Sequence, residues 1–453
     1  MDFKINEFKS NLDANQIYEI WKDEKDTILF DSAKKDSKYS RYSFIGLNKF
    51  LKFRSKDGVS FINDEVVMGN PLVILENILN EYKLEYESEI PFLAGAMGFL
   101  SYDMSFKLEK IESKHKDELG IDDLYFLFFE NVIIFDLEKN KKYITSLGVK
   151  ENSDNTINLI KNKIVEFEKS YVKRDAYSYN EDFTKFNSKF TEDEYMNAVD
   201  MVKGYIEEGH TYIMNMTHQF ECINTENSFD VYSKLREINP APFSAYLNID
   251  DFEIISSSPE RFFNIIDNKI ETRPIKGTMP RGLTSIEDEK NKEILLSSEK
   301  DKSELLMVVD LERNDLSKVC EPFSVKVTEL FKLEEYPTVF HLVSTIEGKL
   351  EKEKSTIAAM KACFPGGSIT GTPKYRTIEI IDELERTRRG LYTGAIGYFD
   401  LRGNCDFNIV IRTILKKGNK ASFGVGGGIT IESDPKSEYK ETLDKAKALM
   451  RVL

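Results

Sequence analysis

Hydrophobic and polar positions change period several times along this chain, and each change marks an element. Apolar runs at 132–135 and 143–145 read as short strands in the first third. A helix is expected from Thr156 to about Tyr171. Residues 172–190 mix Arg, Asp, Ser, Asn and Lys with isolated aromatics and keep no period, which predicts a linker. Thr191-Glu192-Asp193-Glu194 then has the form of a capping box. Tyr195, Ala198, Val199, Val202, Tyr205 and Ile206 follow at helical spacing, and Gly209 can end that helix.

From Ala245 the period becomes two. Runs 245–249 and 252–256 flank Asp250-Asp251, and runs 262–266 and 270–274 flank Asp267-Asn268-Lys269, so two hairpins are predicted. A helical block follows at about 286–309. Strand patterns return at 391–400, 405–416 and 421–425, with turns at Arg402-Gly403 and Gly418-Asn419, and 437–453 closes the chain as a helix. Hairpins alternating with helices predict an α+β fold with largely antiparallel sheets, not a doubly wound parallel one. The expected organisation is an N-terminal region 1–171, a linker 172–190 and a larger domain 191–453.

Bulk composition narrows the function classes. The formal net charge is −15 over 453 residues, which argues against nonspecific binding to nucleic acid or an anionic membrane. The same charge means that an anionic ligand needs local cations, backbone N–H groups or a metal. No apolar run can span a bilayer, and Met1–Glu7 lacks a signal-peptide pattern, so a cytoplasmic location is expected. Cys222, Cys320, Cys363 and Cys405 form no CxxC pair and read as buried free thiols.

Several residues could carry chemistry. Arg273-Pro274-Ile275-Lys276-Gly277-Thr278 places a lysine on a tight turn after a β-rich run, next to the hairpin that carries Ser258-Pro259-Glu260-Arg261-Phe262. A neutral amine can attack carbon, and a protonated carboxyl can assist a leaving hydroxyl. Taken alone, Lys276 equally fits a surface lysine. Glu438, Glu441 and Lys445 share one face of the last helix, and Asp301 with Glu304 repeats the spacing on another. Such carboxylates suit Mg²⁺ but also fit a solvated, salt-bridged face. The four histidines show no HxxxH spacing. Gly424-Val425-Gly426-Gly427-Gly428 is neither a dinucleotide fingerprint nor a P-loop, yet its N–H groups could meet a carboxylate. Arg412 could pair with a carboxylate or a structural acid, and Tyr392 could assist it or belong to the core. His341, in an apolar run, reads first as a satisfied core histidine.

Read together, these motifs carry a resemblance. The segments SPERF, PIKGT, DLERNDL, HLVS, PGGSITGTPK, YTGAIGY, DFNIVIRT and GGGI, within matching segments that run from Pro91–Gly98 to Ser437–Glu441, resemble the chorismate-utilising enzymes. Within them the likeness is to the aminodeoxychorismate-forming branch, with anthranilate synthase component I as a sister. The resemblance implies antiparallel sheets packed together with helices outside. It implies Glu260 as the acid and Lys276 as the attacking amine. Glu304, Glu438 and Glu441 match magnesium-site acids, which makes Mg²⁺ the expected cofactor. Tyr392 and Arg412 match contacts to the enolpyruvyl carboxylate of chorismate, and Gly426, Gly427, Gly428 and Lys445 the surroundings of its ring carboxylate. Gly277, Thr278, His341, Thr370 and Gly371 match other pocket positions.

Lys276 separates the branches, because anthranilate synthases usually have alanine there. Relatives that activate water carry a lysine near Ile213, and ammonia users usually carry glutamine; isoleucine departs from both. No glutaminase signature with a Gly-flanked cysteine is present, so the resemblance implies a separate glutamine amidotransferase subunit that supplies ammonia. Ser32, Tyr39, Ser40, Arg41, Tyr42, Pro242, Phe243 and Ser244 match a tryptophan pocket of some relatives. The expected activity is amination of chorismate to 4-amino-4-deoxychorismate for p-aminobenzoate and folate. The alternatives are anthranilate synthesis and a catalytically silent chorismate- or tryptophan-binding subunit.

Overall fold

The computed structural model describes residues 1–33, 39–173, 176–335 and 339–453. Every strand pair in it is antiparallel, as in Ile213–Ile223 against Lys420–Ile429 and Phe243–Ile249 against Phe252–Ser258. The strands form two arms that meet on two long ones, Tyr42–Lys56 and Leu124–Asp136, paired along most of their length. One arm runs through Thr27–Asp31, Phe243–Ile249, Phe252–Ser258, Thr413–Lys417, Lys420–Ile429 and Ile213–Ile223. The other runs through Gly95–Leu100, Ala395–Asp400, Cys405–Ile409, Arg261–Ile266, Lys269–Thr272 and Val339–Lys349.

Burial explains how the arms stack. Ala245, Leu247 and Ile254 of the first arm share a core with Phe99, Ile396 and Tyr398 of the second, and no helix contributes to it. Helices cover the outer faces. Ser153–Ser170, Ser228–Ile238 and Pro435–Val452 pack Ile160, Tyr232 and Leu449 on the first arm. Glu299–Ser317 and Lys374–Leu384 pack Leu305 and Ile378 on the second. Along Phe243–Ile249, Tyr246 lies in the outer core while its neighbours Ala245 and Leu247 lie in the inner one, as period-two alternation requires. The α+β expectation with antiparallel sheets therefore holds.

Local expectations fare unevenly. Thr191 caps Glu192–Glu207 in a full capping box with Glu194. Both predicted hairpins form, with positive φ at Asp250, Asp267 and Asn268. The block expected at 286–309 is instead two helices, Ser285–Ser297 and Glu299–Ser317. Ser298 is extended between them and its side chain accepts from the Asp301 N–H. The run 405–416 is broken before Thr413, because Arg412 is left-handed with φ 53°. Of the stretch 172–190, residues 174 and 175 lie outside the described residues. Its end is pinned: Asn187–Ser188 pairs with the 213–223 strand, and Phe183 and Phe186 pack on the outer core. Strands from 1–171 and 191–453 pair directly, Thr27–Asp31 with Phe243–Ile249 and Gly95–Leu100 with Ala395–Asp400.

Candidate active site

Lys276 does not lie on a turn. It belongs to the strand Ile275–Pro280, opposite Leu342 of Val339–Lys349. The register slips between Lys276 and Thr278, and Gly277 at that bulge has φ +75°. A Cβ there would stand 2.9 Å from Leu295 and 3.0 Å from Asp301. The bulge turns the lysine into a cavity of about 600 Å³. Its Nζ donates to the Ser368 carbonyl at 3.3 Å.

The glycine-rich strand forms the facing wall. Register places Gly427 opposite Met216 and Gly428 opposite Asn215. Both glycines leave room for side chains from elsewhere. A Cβ on Gly428 would sit 3.2 Å from Lys276 Nζ and 3.4 Å from Ile213 Cδ1, and one on Gly427 would sit 3.1 Å from Glu438 Oε2. Ile213 thus presents a methyl group near the lysine.

Glu260 is buried in the cavity wall. Burial raises its pKa above the ordinary carboxylate value, against the opposing pull of the Ser368 hydroxyl and the charges of Lys276 and Lys445. Glu304, on Glu299–Ser317, is likewise raised by burial. Glu441 is more open. Burial also acts on it, but Lys445 at 2.5 Å, with Lys276 and Lys300, overrides that and lowers its pKa. Glu438 accepts from Ser433 Oγ at 2.7 Å. Lys300 Nζ lies between Glu304 and Glu438, 3.8 and 3.6 Å away.

Arg412 donates to the Lys445 carbonyl at 2.9 Å, and burial lowers its pKa. Among the described residues no carboxylate lies within ion-pair distance of it. Lys445 Nζ donates to Gly426 O at 2.8 Å. Tyr392 stands in a turn before Ala395–Asp400, with its ring against Gly424. His341 is half-buried, not a core histidine, and its Nδ1 lies 2.9 Å from Thr278 Oγ1. All of these line the cavity. Thr370 and Gly371 do not: Thr370 Oγ1 donates to Gly366 O, and Gly371 pairs with Met214 behind the wall. Sequence reasoning missed Asn215, Lys300, Ser368 and Asp444, which also line the cavity. Lys300 could have been found, since it stands four residues before Glu304 on one helix.

A second cavity, of about 330 Å³, lies on the other side of the strand that begins at Arg261. Ser32, Tyr39, Arg41, Tyr42, Pro242, Phe243 and Ser244 line it; Ser40 does not. Arg261 sits over the Tyr39 and Phe243 rings at 5.1 and 5.0 Å and pairs with Asp406. Among the described residues the buried hydroxyl of Ser40 has no hydrogen-bond partner.

Residues 25–451 match the family described as chorismate binding enzyme. The chain belongs to this family. It is 37% identical over 456 residues to aminodeoxychorismate synthase component 1 of Bacillus subtilis (strain 168), covering 98% of this chain and 95% of that one. It is 34% identical over 438 residues to anthranilate synthase component 1 of Aquifex aeolicus (strain VF5), covering 94% and 89%. The crystal structure of anthranilate synthase component I from Streptococcus pneumoniae TIGR4 superposes with a TM-score of 0.81 at 31% identity, covering 92% of this chain and 94% of that one. No helix among the described residues is long and apolar enough to cross a membrane.

The donor set can be tested for the Mg²⁺ that the family implies. Six carboxyl groups (Glu260, Asp301, Glu304, Glu438, Glu441, Asp444) line the main cavity against four cations (Lys276, Lys300, Arg412, Lys445). The surplus is two negative charges, which one divalent cation would offset. Among the described residues no three His, Cys, Asp or Glu side chains are placed to hold a metal ion by themselves. Glu304 and Glu438, which share the Lys300 ammonium, and Glu441 nearby are oxygen donors of the type that a hard cation takes alongside several waters.

Proposed function

We propose that this chain aminates chorismate at C4 to give 4-amino-4-deoxychorismate, as component I of an aminodeoxychorismate synthase. The observation that carries the reading is the Lys276 amine, projected into the cavity whose wall also bears a buried Glu260. An alanine there, usual in anthranilate synthases, could not become covalent.

In this reading chorismate lies on the glycine strand. Arg412 and Tyr392 hold the enolpyruvyl carboxylate, while Lys445 and the N–H groups of Gly426, Gly427 and Gly428 hold the ring carboxylate. Neutral Lys276 attacks C2; the ring double bonds shift, the C4–O bond breaks, and Glu260 gives its proton to the departing hydroxyl. Burial favours the protonated Glu260 that this step requires. Ammonia then bonds to C4, the double bonds shift back, and the C2–N bond breaks to free Lys276. Glu304, Glu438 and Glu441 would hold Mg²⁺, which supplies positive charge for the ring carboxylate when bound. Thr278 and His341 close the near side of the pocket, with Thr370 and Gly371 supporting it from behind.

Ammonia would come from a separate glutamine amidotransferase, so the purified chain should turn over with ammonium but not with glutamine alone. The second cavity would hold tryptophan, its ring among Tyr39, Tyr42 and Phe243; release of tryptophan on denaturation tests this.

One assay separates the readings: chorismate, Mg²⁺ and ammonium, with products followed by mass and fluorescence. Anthranilate fluoresces directly, whereas aminodeoxychorismate becomes p-aminobenzoate only when a lyase is added. The expected result is the second. Lys276→Ala should lose that product and divert some ammonia to C2. Full activity of Lys276→Ala would remove the lysine from the mechanism.

A further inference from the structure

Glu312 is a carboxyl group that the proposed chemistry does not use, on the same helix as Glu304 but turned into the protein. It is 8% exposed. Its Oε2 lies 2.8 Å from Thr272 Oγ1, and that hydroxyl lies 2.7 Å from the Phe262 carbonyl. A threonine hydroxyl has one proton to give, and a carbonyl can only accept. Both contacts are hydrogen bonds at once if Thr272 donates to Phe262 O and a protonated Glu312 donates to Thr272.

The surroundings point the same way. Among the described residues no cation lies within ion-pair distance of Glu312. Lys374, from the neighbouring helix, gives its ammonium to Asp315 at 2.6 Å and to Cys363 O at 2.9 Å. An ionised Glu312 would thus be a buried, unpaired charge. The other titratable groups facing it are Glu260, Asp315 and the Cys363 thiol. Burial, with the charges of Glu260 and Asp315, pushes its pKa up to about 8, against the Thr272 hydrogen bond and Lys374.

The chain from Glu312 to the cavity wall is short. Phe262 stands two residues after Glu260, and Thr272 four before Lys276. Glu312 also packs under Gly367, whose Cβ would lie 3.4 Å from Glu312 Cγ. The next residue, Ser368, accepts from Lys276 and hydrogen-bonds Glu260.

We propose that Glu312 is a positioning residue, held as a neutral carboxylic acid that locks the wall bearing Glu260 and Lys276, and that its ionisation sets an upper pH limit on turnover. The proposal rests on the assignment of Glu260 and Lys276 to catalysis made above.

Glu312→Gln and Glu312→Leu in the full chain test it. Glutamine keeps a neutral donor toward Thr272, and leucine removes it. Turnover with chorismate and Mg²⁺ is measured against pH at constant free ammonia. Wild type should lose kcat above about pH 8. Glu312→Gln should stay within about two-fold of wild type at neutral pH and lack that alkaline fall, while Glu312→Leu loses about tenfold or more in kcat. An unchanged alkaline limb in Glu312→Gln, or a loss as deep as in Glu312→Leu, overturns the proposal. An infrared measurement keeps it independent of folding defects and of the reaction assigned. Wild type at neutral pH should show a protonated-carboxyl carbonyl band that Glu312→Gln lacks. Absence of that band overturns the proposal even if Lys276 proves catalytic, and its presence stands even if the product is anthranilate.

Discussion

Arg389→Met should weaken the protein and its active site together. Arg389 is 2% exposed and grips Glu385 twice, Nε at 2.9 Å and Nη2 at 2.7 Å. It also donates to Ile369 O at 2.8 Å and Asn215 O at 2.7 Å, both residues that line the main cavity. Methionine fills similar space but leaves Glu385 charged and buried, with only the N–H and hydroxyl of Thr217 still donating to it among the described residues. Breaking one partner of a buried pair costs about 4 kcal/mol. With an unfolding entropy of about 2.1 cal/mol/K per residue, that lowers Tm by about 4 °C if the whole chain unfolds together. Differential scanning calorimetry reads the shift, and turnover should fall with it as Ile369 and Asn215 lose their anchor. The decisive comparison is Arg389→Met with Glu385→Leu, which replaces the whole pair by apolar groups. Such replacements are often near neutral, so the double variant should regain about half the loss or more. A double variant as unstable as the single one, or a single variant that melts like wild type, refutes the reasoning.

Three further outcomes are expected. Glu441→Gln should raise the Mg²⁺ concentration for half-maximal turnover about tenfold or more without lowering Tm, read by metal titration of the rate; an unchanged titration would take Glu441 out of the site. Gly428→Ala should cut turnover about tenfold with Tm nearly unchanged, because its Cβ meets only the flexible ends of Lys276, Ile213 and Glu304, the nearest at 3.2 Å, and so displaces the amine. Glu312, raised in the folded chain from 4.5 to about 8, stabilises fully below pH 4.5 and loses that contribution as pH rises toward 8, up to about 5 kcal/mol; melting curves should therefore fall less steeply over that range in Glu312→Gln than in wild type.

Local signals in the sequence were legible where local chemistry decides the structure. Thr191 and Glu194 satisfy each other's backbone whatever surrounds them, so the capping box could be read directly. Asp250, Asp267 and Asn268 tolerate the left-handed backbone that tight turns need, so both hairpins could be read as well. Arg412 carries no such signal. Its φ of 53° is held by distant partners, the Ser257 N–H bonding to its carbonyl and its own side chain bonding to Lys445 O. The pairing of Thr27–Asp31 with Phe243–Ile249 joins segments more than two hundred residues apart, and no periodicity within either one names its partner. The stretch 172–190 misled for a related reason. Its polar composition hides Phe183, Phe186 and a short strand, which gain order only by packing on residues elsewhere in the chain.

The site shows the same division at the scale of single side chains. Motif identity names candidate residues, but only strand pairing decides which way each one points. Thr370 and Gly371 sit in a matching motif yet lie behind the wall, because Gly371 pairs with Met214 while Ser368, three residues earlier, faces Lys276. The SPERF segment makes the point most directly. Glu260 lines the main cavity, and Arg261, the next residue, lines the second one. Successive residues of extended chain point to opposite faces, so one short stretch serves two cavities. Ala241 and Pro242, in the turn before Phe243, also divide, the first lining the main cavity and the second its neighbour. The two cavities therefore share a wall one chain thick at two separate places. Backbone that carries Arg261 or Pro242 toward one cavity thus also carries Glu260 or Ala241 toward the other.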